Sequence, residues 1–350
     1  MRKGWYRLQA EYDQPLHFFC GGQTMLIENQ ELTMSHVGLG NLNEYALLLL
    51  FGNAHSHHLT DGTGFRPDQM ADHQGLILYP AYFMTHLKVP SDQPLDQYRL
   101  WDEVSVGVDI SRFGETILES DYLFGPKGAV SSDKSEWDRG RFPSMKANSL
   151  IVVDVTQTEG STRKVSAPKA ECIAELSKLA KPPYALMRSK KIRTDAFGMK
   201  PGNLKTADPV SYRVPVDQDA APGHAMVFAK FSKIMDAAEF EWMTRRSKPG
   251  FPLSIARHLF LLERETYYYG NCFADEELDI YMTGHIEECD PDFHGESLGM
   301  ISVAKISYQI EVYMKRNHTL LAISKVDKLL AVPTSSQDHI PDYKRVIRSL

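Results

Sequence analysis

Residues 34–52 set the strongest limit on what this chain can fold into. They read Met34-Ser35-His36-Val37-Gly38-Leu39-Gly40-Asn41-Leu42-Asn43-Glu44, then Tyr45-Ala46-Leu47-Leu48-Leu49-Leu50-Phe51-Gly52. Asn41 or Asn43 can cap a first helical turn, and Gly52 can end the helix. Residues 45–51 are apolar on every side, so such a helix must be enclosed by other elements. The run is far short of the roughly 20 residues that a membrane span needs. The covering has to come from the protein itself.

The covering elements follow in sequence. Residues 76–88, 101–120 and 149–156 are rich in β-branched and aromatic side chains and read as strands. The order then repeats. Residues 223–242 carry Met226, Val227, Phe231, Ile234, Met235 and Ala238 at helical spacing, and strand-like runs follow at 259–269, 278–286, 300–314 and 320–326. In each half an aromatic strand comes after the helix, with Tyr79 and Tyr82 in the first and Tyr267, Tyr268 and Tyr269 in the second. One enclosed helix followed by several long antiparallel strands is the hot-dog arrangement. The fold class expected is therefore α+β, a tandem (double) hot-dog in which a curved antiparallel sheet wraps a long central helix in each half.

The expected domains are 1–180, a basic linker at 181–208, and 209–350 with an irregular tail at 332–342. The linker opens Lys181-Pro182-Pro183 and carries Arg188, Lys190, Lys191, Arg193, Lys200 and Lys205 around a Pro201-Gly202 turn. Its charge suits the phosphates of coenzyme A or an acidic carrier protein, or simply a solvated surface. A net charge of −6 over 350 residues argues against nucleic-acid or membrane-surface binding. Cys20, Cys172, Cys272 and Cys289 are widely spaced, which fits a reduced, cytoplasmic setting and offers no zinc pattern.

Several pieces resemble the double hot-dog acyltransferase/decarboxylase family of the leinamycin polyketide pathway. The family stretch M-P-x-L…G-G-L-S-E-x-W-L-L-K-E-L-G-D-x-H-W is similar to Met34-Ser35-His36, Gly40-Asn41-Leu42-Asn43-Glu44-Tyr45-Ala46-Leu47-Leu48 and Gly52-Asn53-Ala54-His55. Leu78-Tyr79 resembles its L-Y strand, and Ser111-Arg112-Phe113-Gly114 its S-R-F-G turn. In the second half, Phe228-Ala229 through Asp236-Ala237-Ala238-Glu239 resembles F-A-A-Y-P-x-I-x-D-x-A-E, and Tyr269-Gly270-Asn271 ends a strand as the family's does. The second glycine, the serine and both tryptophans of the first motif differ. Ala221-Pro222 stands where the family has N-G.

The resemblance implies an enzyme that takes an acyl group from a coenzyme A thioester onto a tyrosine and passes it to an acyl carrier protein, turning methylmalonyl into propionyl on the way. It holds no tightly bound cofactor. Tyr79 takes the tyrosine's place, with Tyr82 as the alternative register. A phenol with a reference pKa of about 10 needs a nearby donor, cation or helix N-terminus to act as a nucleophile. Gly40, Asn41 and Asn43 fit an oxyanion-binding turn at the helix N-terminus, or plain helix capping. Glu44 fits a base or an orienting group, and also a first-turn carboxylate placed by the helix dipole. His55 matches the family histidine, and Ser111 sits in the substrate-binding turn.

Two other readings stay open. His58-Leu59-Thr60-Asp61-Gly62-Thr63-Gly64-Phe65-Arg66-Pro67 fits the H-x-x-x-G-x-x-x-x-P pattern of polyketide dehydratases, and Met235-Asp236-Ala237-Ala238 resembles their aspartate helix. Here, however, the pattern comes after the expected helix rather than before it. The other reading is a non-catalytic scaffold for acyl groups or carrier protein. Tandem domains pair internally, so a monomer is expected as readily as a homodimer.

Overall fold

The computed structural model describes residues 16–20, 23–38, 41–63, 69–154, 164–199, 204–205, 208–215, 226–246, 258–289 and 299–348. The first half holds β1 (Leu16–Cys20), β2 (Gln23–Glu31), β3 (Val37–Gly38), β4 (Asn41–Leu42), helix α1 (Glu44–Thr63), β5 (Leu78–Lys88), β6 (Glu103–Phe113), β7 (Ile117–Pro126), β8 (Ser144–Val153) and β9 (Ser177–Lys178). After α2 (Tyr184–Asp195) come β10 (Leu204–Lys205), β11 (Val210–Arg213), α3 (Phe228–Arg246), β12 (Leu259–Tyr268), β13 (Glu277–Glu288), β14 (Met300–Met314), β15 (Thr319–Pro333) and α4 (Ile340–Ile347).

One large sheet, almost wholly antiparallel, runs β1-β2-β6-β7-β8-β5-β12-β15-β14-β13-β10, with β11 also on β13 and β9 parallel to β6. The strands after each helix adopt the same order. In the first half they lie β5-β8-β7-β6, and in the second β12-β15-β14-β13. The first strand of each set pairs with the other across the middle, Arg264 opposite Leu87 and Thr266 opposite Thr85. Helix α1 packs on β2 and β6, α3 packs on β11 and β13, and the two helices touch each other.

Burial explains the helix. Ala46, Leu47, Leu50, Phe51, Ala54 and Leu59 are all buried, and they join Val106, Val108, Phe231 and Ile234 in one core. Gly52 does not end α1. The helix continues to Thr63, because buried Ala54, His55, His58 and Leu59 carry its inward face two more turns. At Gly52 the ring of Phe228 comes so close that a Cβ would stand 3.3 Å from it, so the glycine serves the α1–α3 contact.

Other expectations shift in detail. Residues 101–120 form two strands, β6 and β7, reversed at Gly114 with φ +63°. The segment expected as a linker contains α2, whose Ala185 and Ile192 pack on Phe83, Met84, Tyr267 and Ile323 at the middle of the sheet. There Arg188 grips Glu265 through Nε at 2.7 Å and Nη2 at 2.8 Å. The tail is ordered as the end of β15, a short 3-10 stretch and α4. The strands before α1 carry no strong pattern and were not expected.

Candidate active site

Where α1 begins, a cavity of about 590 Å³ opens between the two helices. It is lined by Gly38, Asn41, Leu42, Asn43 and Glu44 from the α1 approach, Leu95 and Asp96, Asp236, Glu239, Phe240 and Met243 of α3, and Leu259, Phe260, Leu261 and Lys328 from the sheet. The approach is pinned from outside. Gly38 and Asn41 pair across β3 and β4, Asn41 bridges Arg99, and Leu42 N donates to Tyr98 O at 2.9 Å.

Asn43 is the helix cap. Its Oδ1 accepts from Ala46 N at 2.8 Å, and its carbonyl accepts from Leu47 N at 3.1 Å. That leaves the amides of Glu44 and Tyr45, which helix geometry supplies with no intrahelical acceptor, at the positive end of the dipole. The sequence offered both capping and oxyanion binding for this turn, and the Asn43 side chain does the capping.

Glu44 belongs to a buried charge cluster that joins both halves. Arg264 on β12 approaches Glu44 Oε1 with Nε at 2.8 Å and donates an aligned hydrogen bond to Oε2 at 3.0 Å. Its Nη2 donates to Asp236 Oδ1 at 2.7 Å. Lys328 on β15 donates to the same Oδ1 at 3.2 Å and to Glu239 Oε2. Glu44, Arg264, Glu239 and Lys328 are all buried, whereas Asp236 keeps 41 % of its side chain exposed. Three carboxylates thus share two cations, and the cluster is neutral only when one acid holds a proton. Burial pushes the Glu44 carboxyl up to about 7 against the opposing pull of Arg264. Burial also raises Asp236, but Lys328 and Arg264 outweigh it and hold that carboxyl below its usual range. Of the carboxyls in the cluster, burial thus favours the protonated form at Glu44, while the cations keep Asp236 ionised.

The cavity gathers Asn41, Asn43 and Glu44 but not the other residues expected in the site. Tyr79 is half-buried on β5, opposite Val152, and does not line the cavity. Ser111 is half-buried near the end of β6, between Glu119 and Ser177. Gly40 lies outside the described residues, as do Gly64, Phe65, Arg66, Pro67, Ala221 and Pro222.

His55 lies three turns down α1 in a sealed polar group. Its Nδ1 is 2.8 Å from Tyr122 Oη and 3.3 Å from Ser120 Oγ, and Tyr122 Oη is 2.9 Å from Tyr82 Oη. Burial, helped by nearby His58, lowers His55 to about 3, and burial lowers His58 to about 4. Burial and Tyr122 push the Tyr82 phenol well above its usual range, against use as a nucleophile. His58 sits inside α1 rather than after a helix end, while His57 points away to Glu28 at 2.5 Å.

Sequence reasoning did not find Arg264, Lys328 or Asp96. A signal for Arg264 was present, since it is the one cation of β12 and follows the apolar run Leu259-Phe260-Leu261-Leu262; Lys328 shares β15 with Lys325 and stands out less. Asp96 sits in a short 3-10 turn that gives no pattern.

A large, mostly antiparallel sheet with few helices is the fold that this chain shares with solved hot-dog structures. Among solved structures the chain is similar to an acyl-ACP thioesterase from Bacteroides thetaiotaomicron (12 % identity, TM-score 0.52, covering 87 % of this chain and 97 % of that one). It is similar also to a Lactobacillus plantarum protein designated an oleoyl thioesterase (10 %, 0.55, 88 % and 97 %). The 12:0-ACP thioesterase from Umbellularia californica is a third (13 %, 0.53, 87 % and 93 %). At these identities the likeness establishes the fold. No protein-family model matches the chain, and no curated protein matches it in sequence.

Proposed function

We propose that the chain is a tandem hot-dog enzyme that cleaves acyl thioesters in the cavity between α1 and α3. One observation carries this reading. A buried carboxyl, pushed up to about 7 by burial, stands at the start of an enclosed helix, lines a cavity, and pairs with a buried arginine that also holds the accessible Asp236. The thioester carbonyl lies against the Glu44 and Tyr45 amides, with the Asn41 side-chain amide as a further donor. Asp236, the accessible carboxylate, orients a water. Glu44 takes the water's proton as oxygen bonds to the carbonyl carbon, and the carbon–sulfur bond breaks as the tetrahedral intermediate collapses. Glu44 then returns the proton to the departing thiolate. Arg264 and Lys328 hold the carboxylates in place. Coenzyme A or the phosphopantetheine of an acyl carrier protein is the thiol released.

The acyl-tyrosine route through Tyr79 has less support, because Tyr79 does not line the cavity. Decarboxylation of methylmalonyl has less again. Four carboxylates line the cavity, and Lys328 and Arg264 are already engaged by three of them, so a carboxylated acyl group meets repulsion. A dehydratase relying on His58 has less support, because burial inside the α1 core makes that imidazole a weak base and it does not line the cavity.

The test is thiol release from acetyl-, butyryl- and methylmalonyl-CoA, with each protein's fold checked by circular dichroism. Release from the neutral thioesters, reduced about a hundredfold or more in Asp236→Asn, is expected. Stable acyl label on the protein that disappears in Tyr79→Phe would replace this reading with the acyl-tyrosine one.

A further inference from the structure

Helix α2 spends only part of its surface on the sheet. Ala185 and Ile192 are buried there, while Tyr184 and Met187 stand 72 % and 74 % exposed. Set three apart, the two exposed side chains are neighbours on one face of the helix. Lys181, Lys190 and Lys191 flank them, all exposed and without an ion pair among the described residues. The helix carries no acid before Asp195 at its end. In a chain of net charge −6 this is a local reversal of sign around an apolar centre. Exposed apolar side chains rimmed by charge mark protein contacts, and the rim sets the sign of the partner.

We infer that this face of α2 is the docking surface of an acidic carrier protein that presents the acyl thioester. The inference rests on the thioester reading and decides between its two thiols, in favour of the carrier over coenzyme A. The phosphates of coenzyme A answer to the cations alone, whereas a protein surface also covers Tyr184 and Met187. A membrane surface needs a wide apolar face, and that of α2 is already spent on Phe83, Met84, Tyr267 and Ile323. A second copy would set lysines against lysines. The place suits delivery. Arg188 holds Glu265, the residue after Arg264 on β12, so α2 lies on the outer face of the sheet behind the charge cluster. Further along that face, Leu262, Leu329 and Ala331 line a second pocket, which shares Phe260 and Asp96 with the cavity. Glu265 to Phe260 is about 17 Å along the strand, within reach of a phosphopantetheine arm.

Butyryl carrier protein and butyryl-CoA separate the two thiols, with folding checked by circular dichroism. We expect wild-type kcat/KM to be about tenfold or more higher for the carrier substrate. Met187→Glu and Lys190→Glu/Lys191→Glu should each lower the carrier value about tenfold or more, through KM, and leave butyryl-CoA within about twofold. Equal wild-type values, a carrier value that neither variant changes, or a loss shared by butyryl-CoA overturns the inference while leaving the thioesterase reading intact. If neither thioester is turned over, that reading fails and calorimetry decides. The phosphopantetheine-bearing carrier protein should then bind wild type, and at least about tenfold more weakly bind Lys190→Glu/Lys191→Glu. No binding, or binding that the variant keeps, overturns the inference. Attachment to phosphatidylglycerol vesicles, or self-association in sedimentation, that the same variant abolishes gives the face to a membrane or a second copy and overturns it too.

Discussion

The two ends of α1 make an instructive pair. At its start, Glu44 is buried yet lines a cavity, and its partners Arg264, Asp236, Lys328 and Glu239 come from the other half of the chain. Three turns on, His55 is just as buried, but its partners Tyr122, Tyr82 and Ser120 come from its own half and none of them lines that cavity. Burial moves both groups off their ordinary pKa values, in opposite directions, because it disfavours charge on either. Only Glu44 arrives within reach of neutral pH. A perturbed pKa therefore marks a working group only where a substrate can get to it. The His55 cluster is a core network that fixes Nδ1 against Tyr122 and Ser120.

The largest effect should come from cutting the cluster at its shared cation. Arg264→Ala leaves Glu44 and Asp236 without their common partner and should cost about 3–5 kcal/mol in urea unfolding, with activity lost. A loss below about 1 kcal/mol would show that the cluster holds little of the interface between the halves.

Acid should separate the two ends next. His55 and His58 are held below their usual value, so each loses stability as pH falls beneath 6.5 toward the folded value. Glu44 is held above its usual value, so its contribution is fully present below about 4.5 and disappears as pH rises through about 7. From pH 6.5 to 5 each histidine then costs about 2 kcal/mol while Glu44 returns about 2. Wild type should lose roughly 2 kcal/mol and Glu44→Gln roughly twice that, read from unfolding curves at the two pH values. A smaller loss in the variant would reverse the assigned sign for Glu44.

Tyr122→Phe removes the hydroxyl that serves both His55 and Tyr82. It should destabilise by about 1–3 kcal/mol and leave kcat/KM unchanged at a temperature where the variant stays folded. A large drop in activity there would move the His55 cluster into the mechanism. Smallest of all, Tyr79→Phe should change thioester turnover by less than about threefold.

Much of the frame was legible. Residues 45–51 demanded enclosure, and the helix-then-strands order repeated, because both depend on local hydrophobic pattern. Asn43 and Glu44 could be placed in a site for the same reason: a cap and a first-turn acid are local features. Asp236 and Glu239 stood out only as part of a motif, without a partner to explain them. Arg264, Lys328 and Asp96 escaped because their roles arise when strands 259–268 and 319–333 and the turn at 95–97 meet around α1 and α3. The end of α1 was misplaced at Gly52 because a glycine that serves a helix contact looks in sequence like one that stops a helix. Helix α2 was hidden by its charge, since Ala185 and Ile192 are too few to set a pattern among Arg188, Lys190, Lys191 and Arg193.

The central claim is that Glu44 moves the proton in a thioester-cleaving cavity, and a pH–rate profile addresses it directly. Wild-type kcat/KM should climb through a single ionisation near pH 7 and level off above it. Glu44→Gln should lose about 10²–10⁴-fold at the plateau and, with it, the limb near pH 7. A variant that keeps both the plateau rate and the limb would contradict the account and return the site to a purely structural role.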